Sequence, residues 1–200
     1  MINNLKKLNM GKNRGKKIAI TEVAISKVPY VKYYGFDDNR NKIMQQLARD
    51  VLQLAKDENN SNEVAITCDL ESENPLEDFG VALGDEHEVD ILADTYSNHI
   101  IVSQESVAVV VLHNHPESQT FSLQDIQFFI EYPMIEVIVV VSNQGTVHYL
   151  MREEQYDYKK AFELFKDCID GLNKKSTIKE LYLASLSFLA KCSEAGLYYR

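Results

Sequence analysis

Apolar residues along this 200-residue chain follow two patterns, one recurring every three to four positions and the other continuous or alternating. Ile43, Leu47, Val51 and Leu54 or Ala55 recur at helical spacing and predict an amphipathic helix up to about Lys56, stopped by the polar run DENNSN. EVAITCDL follows, with Val64, Ile66 and Cys68 alternating against Ala65 and Thr67 as a strand requires. Beyond the polar turn ESENPLED, FGVALGDEHEVDIL reads as two short strands joined near Gly84, and ADTYSNHIIVSQES shows no single period. VAVVVL is a continuous run rich in β-branched residues, the pattern of a central strand buried on both faces. His113 and His115 lie just past it.

SLQDIQFFIEY sets Leu123, Ile126, Phe129 and Ile130 at helical spacing and is stopped by Pro133. IEVIVVVSNQGTVHYLM then predicts a buried strand, a turn at SNQG and a returning strand. This order of helix, strands, helix and strands predicts an α/β domain with a mixed sheet over residues 40–151. Two more amphipathic helices fill residues 152–200. One carries Tyr158, Phe162, Phe165, Ile169 and Leu172; the other carries Ile178, Leu181, Phe188, Leu189 and Cys192 and starts at Ser176 or Thr177 with Glu180 as capping partner. Together they predict a C-terminal helical hairpin. Residues 1–39 form a lead-in with a basic tail, a short strand at IAITEVAI and an aromatic-rich connection, VPYVKYYGFDDNRN.

Charge divides the chain unevenly. The first 17 residues hold six of the 21 basic residues and no acidic one, leaving 15 basic against 30 acidic in the rest. An acidic body disfavours broad nucleic-acid binding, and the basic tail reads as a solvated end. Neither VAVVVL nor VIVVV approaches the roughly 20 apolar residues that span a bilayer, and the interruptions at Thr21, Glu22 and Ser26 do not suit an export signal. A cytoplasmic protein is expected. Cys68, Cys168 and Cys192 are odd in number and lack CxxC spacing, so neither a disulfide framework nor a cysteine zinc site is expected; Cys168 and Cys192 fall at helical apolar positions as small hydrophobes.

The chemistry concentrates in VLHNHPESQTFSLQDI, residues 111–126. Alternate positions of an extended strand end share a side, so His113 and His115 can aim two imidazoles at one point while Asn114 faces away. Neutral imidazoles suit zinc, and a zinc site that performs chemistry commonly takes three protein ligands, which makes Asp125 the candidate third. Ser122 and Asp125 also have a structural explanation as a capping-box-like helix start, and the two roles are compatible. A hydrolytic zinc site further benefits from a carboxylate that takes and returns a proton. Glu63, at the opening of EVAITCDL directly after the amphipathic helix, is a candidate; Glu71, Glu73 and Glu77 are rivals that sit in a turn, where geometry is less well held. His87, His99 and His148 read as surface or packing residues.

HNHPESQTFSLQD resembles the signature of the JAMM family of metalloproteins, also called MPN+ or JAB: His-x-His-Pro, a loop, then Ser-x-x-Asp. The HNHP form is similar to RadC-like and phage- or mobile-element-associated bacterial branches. The family's common spacing leaves ten residues between the second histidine and the aspartate. Here nine intervene, and the shortening falls in the loop PESQTF. The resemblance, over roughly residues 40–151, implies a three-layer core like that of cytidine deaminases and a peptidase or isopeptidase with metal-bound water as nucleophile. It implies Zn2+ held by His113, His115 and Asp125, Ser122 stabilising the transition state, and Glu63 as general base and then acid. The implied partner is a protein or peptide substrate. The alternative is a RadC-like DNA-associated or mobile-element interaction protein without peptidase activity.

Overall fold

The computed structural model describes residues 17–103, 106, 108–117 and 120–200; apart from Lys17, the basic tail lies outside the described residues. Among the described residues, six strands, β1 (Val64–Asp69), β2 (Phe79–Leu83), β3 (Val109–His115), β4 (Ile135–Ser142), β5 (Val147–Arg152) and β6 (Leu197–Tyr199), form one sheet in the order β2-β1-β3-β4-β5-β6. The α-helices among the described residues are α1 (Glu22–Ser26), α2 (Asp38–Asp57), α3 (Thr95–Val102), α4 (Leu123–Glu131), α5 (Tyr158–Ile169) and α6 (Ile178–Lys191). β3 and β4 run parallel, whereas β1 pairs antiparallel with both β2 and β3, and β4 pairs antiparallel with β5. The sheet is therefore mixed, and the chain is of the α/β class. A parallel pair needs a crossover connection, and the chain between β3 and β4 contains α4.

By their contacts the described residues divide into two units. One comprises residues 17–120 with Met134–Met151, the other Phe121–Pro133 with Arg152–Arg200.

In the first unit, α2 starts where the Asp37 side chain accepts a hydrogen bond from Arg40 N, so the helix begins before its apolar stripe does. Met44, Leu47, Ala48, Val51, Leu52 and Ala55 are buried in one cluster with Val64, Ile66 and Cys68 of β1, Val110 and Leu112 of β3, and Val137, Val139 and Val141 of β4. These strand residues all belong to one face of the sheet, since successive side chains alternate. The opposite face of β3 carries Val111, His113 and His115. All seven residues of β3 are buried, as its uninterrupted apolar run requires.

Three parts of this unit depart from, or complete, the pattern read in the sequence. IAITEVAI is not a strand: Thr21 Oγ1 accepts from Ala24 N and starts α1, and Ala24 and Ile25 enter the core together with Ile20 and Val28. The local cap satisfies backbone groups that a strand would have to pair elsewhere. FGVALGDEHEVDIL contains one strand, β2, and not two. The Asp85 carboxylate accepts from His87 N and Glu88 N, which folds the chain back locally before a short 3-10 turn at Ile91–Ala93. The stretch without a clear period holds α3, whose Asp94 cap accepts from Ser97 N.

α3 approaches β2 so closely that a Cβ on Gly80 would overlap Asp94 Oδ2 and Ser97 Oγ, with Ser97 N at 2.9 Å. Gly80→Ala is expected to destabilise the fold by about 1–3 kcal/mol, the usual cost of overpacking, as a lowered urea midpoint would show.

In the second unit, α5 and α6 pack through Phe165 and Phe188, whose ring centroids are 6.0 Å apart and nearly perpendicular. Both helices expected of the C-terminal hairpin are present, but α5 ends at Ile169, short of Leu172, and after α6 the chain forms a 3-10 turn at Cys192–Ala195 and the strand β6. The Arg152 guanidinium lies 4.0 Å over the Phe129 ring and donates to the carbonyls of Phe129 and Tyr132, satisfying acceptors that the end of α4 leaves open. At the start of α6, Thr177 Oγ1 accepts from Glu180 N while the Glu180 carboxylate accepts from Thr177 N at 2.6 Å. That backbone bond, joined by one from the Thr177 hydroxyl, holds the Glu180 carboxyl below its ordinary range. A depressed folded-state value means that the cap's stabilisation is present above the unfolded carboxyl value and is lost as pH falls through the folded one. Thr177→Ala is expected to cost about 1 kcal/mol at neutral pH, with a smaller difference from wild type in melts at low pH.

Cys68, Cys168 and Cys192 are all free thiols. Burial pushes Cys68 up to about 12 and Cys192 up to about 11. Raised values keep both protonated and poorly nucleophilic at pH 8, whereas Cys168 is only half-buried. Iodoacetamide at pH 8 should therefore alkylate Cys168 alone in the native chain and all three cysteines after denaturation, as peptide mass mapping would show. Among the described residues, no helix is long and apolar enough to cross a membrane.

Candidate metal centre

The end of β3 is a polar finish on an apolar strand, and its placement follows from pairing. His113 sits opposite Ala65 of β1 on one side and Val140 of β4 on the other, and His115 sits beside Ser142. Ala65 in turn faces Ala82 of β2, so the row beside His113 is built from small side chains. Small neighbours leave the imidazoles room on their own face. Both rings are nonetheless buried, with 1% of His113 and 8% of His115 exposed.

The two rings converge as the alternation predicts. Their Nε2 atoms are 3.1 Å apart, and their planes meet at 63°. Two nitrogens each about 2.05 Å from a tetrahedral ion would be about 3.3 Å apart, so this pair already has the spacing of two ligands to one zinc-sized cation. Asn114 points to the other face, also as expected, but it is wholly buried there and bonded to its surroundings.

Glu63 stands immediately before β1. In the antiparallel register Ala65 faces His113, so Glu63, two residues earlier, falls in the row of His115 and on the same face of the sheet. Its backbone is held on both sides: its N–H donates to Asp85 O at 2.9 Å, and its carbonyl accepts from Gly84 N and from Asn59 Nδ2, each at 2.8 Å. The residue is 4% exposed. By contrast, Glu71, Glu73 and Glu77 lie outside the strands, and Glu71 pairs with Arg40.

Ser122 and Asp125 form the complete capping box expected of them. Ser122 Oγ accepts from Asp125 N at 3.2 Å, and Asp125 Oδ2 accepts from Ser122 N at 2.7 Å. Within the first unit, His113 and His115 bring two ring nitrogens together; Asp125, the third ligand that the motif implies, belongs to the second unit. Two nitrogens and a carboxylate oxygen are a donor set that suits zinc.

The remaining histidines are apart from this group. His87 lies in the Asp85 turn and His99 in α3. His148 sits on β5, opposite Val140, in the row of His113 but two strands away. The structure also adds two residues that the sequence did not mark for the site, Asn114 and Asn143, whose amides meet at 2.8 Å just behind the histidine pair. Their signal was an amide residue at or just past the end of each of two adjacent buried strands.

Comparison of the chain with protein-family models, with curated proteins and with solved structures finds no match.

Proposed function

We propose that this protein is a zinc-dependent hydrolase of a peptide or isopeptide bond of the JAMM type. The observation that carries the reading is the buried His113–His115 pair, with ring nitrogens 3.1 Å apart at the end of the central strand. Two ring nitrogens held side by side, out of water and at the spacing of two ligands to one zinc-sized ion, suit a shared cation. The resemblance of HNHPESQTFSLQD to the family's signature points the same way.

His113, His115 and Asp125 would hold the ion. A zinc ion bound there would act as a Lewis acid and bring the pKa of water down to about 7. Glu63 takes the proton released at attack and delivers it to the leaving amine, a task that needs a carboxylate on the same face as the histidines. Ser122 accepts a hydrogen bond as a helix cap, which uses an oxygen lone pair and not the hydroxyl hydrogen. That hydrogen is what Ser122 donates to the oxyanion of the tetrahedral intermediate. The dual role suggested by the motif is thus chemically consistent.

The test is metal content. The wild-type chain purified with zinc should carry about one equivalent by atomic emission, and His113→Ala should carry essentially none, because two-ligand sites hold zinc poorly. Equal zinc in both proteins overturns the assignment.

A further inference from the structure

Asn114 separates the two histidines and faces away from them, a position where the apolar cluster on that side of the sheet would accept valine or leucine as readily as its neighbours Leu112 and Val110 do. It is instead an amide with every polar group engaged. Oδ1 accepts from Val64 N at 2.7 Å, and Nδ2 donates to Asn62 O at 3.0 Å and to Asn143 Oδ1 at 2.8 Å. The two backbone groups it grips belong to the residues on either side of Glu63.

The register explains why a side chain is needed there. The β1–β3 ladder ends at the pair Ala65 and His113, so the next rung, Val64 against Asn114, is made by the Asn114 side chain in place of backbone. The approach to Glu63 is otherwise irregular, with Asn60 and Ser61 both at positive φ. Asn143 secures the same segment from the neighbouring strand end. Its Nδ2 donates to Ser61 O at 3.0 Å and to Ile18 O at 2.7 Å, while its N–H donates to His115 O at 3.0 Å. One buried amide pair therefore ties the backbone that presents Glu63 to the backbone that presents His115.

We infer that Asn114 is the positioning residue for Glu63, fixing the carboxylate relative to the histidine pair through Val64 N and Asn62 O. The role rests on the hydrolase reading above. It demands one acceptor and two donors from a single short side chain, which asparagine has; aspartate keeps only the acceptor, and alanine keeps neither.

The test uses the whole chain loaded with Co2+, as wild type, Asn114→Ala and Asn114→Asp. Both variants should bind one Co2+ with the wild-type visible absorption, since Asn114 faces away from the ligands. In Asn114→Ala the Val64 amide should exchange with solvent at least ~100-fold faster, the scale of losing a buried backbone bond's protection. Asn114→Asp keeps the acceptor and should restore most of that protection. In both variants the cobalt-induced paramagnetic shift of the Glu63 side-chain methylenes should fall at least ~2-fold, as loss of fixed geometry requires. A Glu63 shift equal to wild type in Asn114→Asp, unchanged Val64 exchange in Asn114→Ala, or loss of cobalt from either overturns the positioning role. If Asn114→Ala does not fold, the isosteric Asn114→Asp decides through the Glu63 shift. A wild-type chain that takes up no cobalt sinks the hydrolase reading alone, and Val64 exchange then decides whether Asn114 anchors the strand entry.

Discussion

Glu63→Gln is expected to lower kcat for peptide hydrolysis by about 10²–10⁴-fold, the usual contribution of a positioned acid–base group, while zinc content stays at the wild-type level. Glutamine matches glutamate in size, so the substitution removes the basic oxygen without opening a cavity. The backbone of Glu63 keeps its bonds to Asp85, Gly84 and Asn59, none of which uses the carboxylate. Fold and metal should therefore survive, and the loss should appear in kcat with KM little changed. A mixed peptide library digested by the wild type and followed by mass spectrometry supplies the substrate; the variant is then assayed on the peptide found. Undiminished turnover by Glu63→Gln would sink the acid–base assignment. No cleavage of any peptide by zinc-loaded wild type would turn the reading toward the alternative, an interaction protein that keeps the site without the reaction.

The largest effect on stability is expected from Leu112→Ala, at about 2–5 kcal/mol. Leu112 is fully buried on the central strand β3, pairs with Ile66 and Val139 on its two sides, and shares its cluster with Met44, Leu47, Val51 and Leu52 of α2. A strand held between two paired neighbours cannot collapse into the space left, so the lost transfer free energy and the cost of the cavity add. Urea unfolding followed by far-UV circular dichroism should show the midpoint fall steeply. A shift equivalent to less than about 1 kcal/mol, the range of a well-tolerated core substitution, would mean that α2 and the sheet are not packed as described. His113 follows Leu112 directly, so weaker zinc binding should accompany the loss of stability.

Much of this architecture is legible in local pattern. α2, β3, β4 and α6 each carry an uninterrupted period or run, and their apolar residues have only one way to leave water. The histidine pair is legible for the same reason, because alternation on an extended strand places i and i+2 on one side whatever surrounds them. The capping box at Ser122 and Asp125 is equally local. α1, the single strand in FGVALGDEHEVDIL and α3 are not legible in this way, because short elements are decided by a few polar side chains. Thr21, Asp85 and Asp94 each satisfy backbone groups nearby, and no hydrophobic period reports that choice.

What the chain alone determines, then, is its class, its long elements, and the residue types offered at the end of the central strand. The motif resemblance points to Glu63, but its place on the histidines' face depends on the β1–β3 register, a long-range pairing that no local signal states. Asn114 shows the same division most plainly. Its sequence position says only that it faces away from the histidines. That it bonds to Val64 and Asn62, and through Asn143 to Ser61 and Ile18, was decided by the folding of segments far apart in the chain around one buried amide. Hydrogen-bond partners of a buried polar group are set by which strands meet, and only the tertiary structure specifies that.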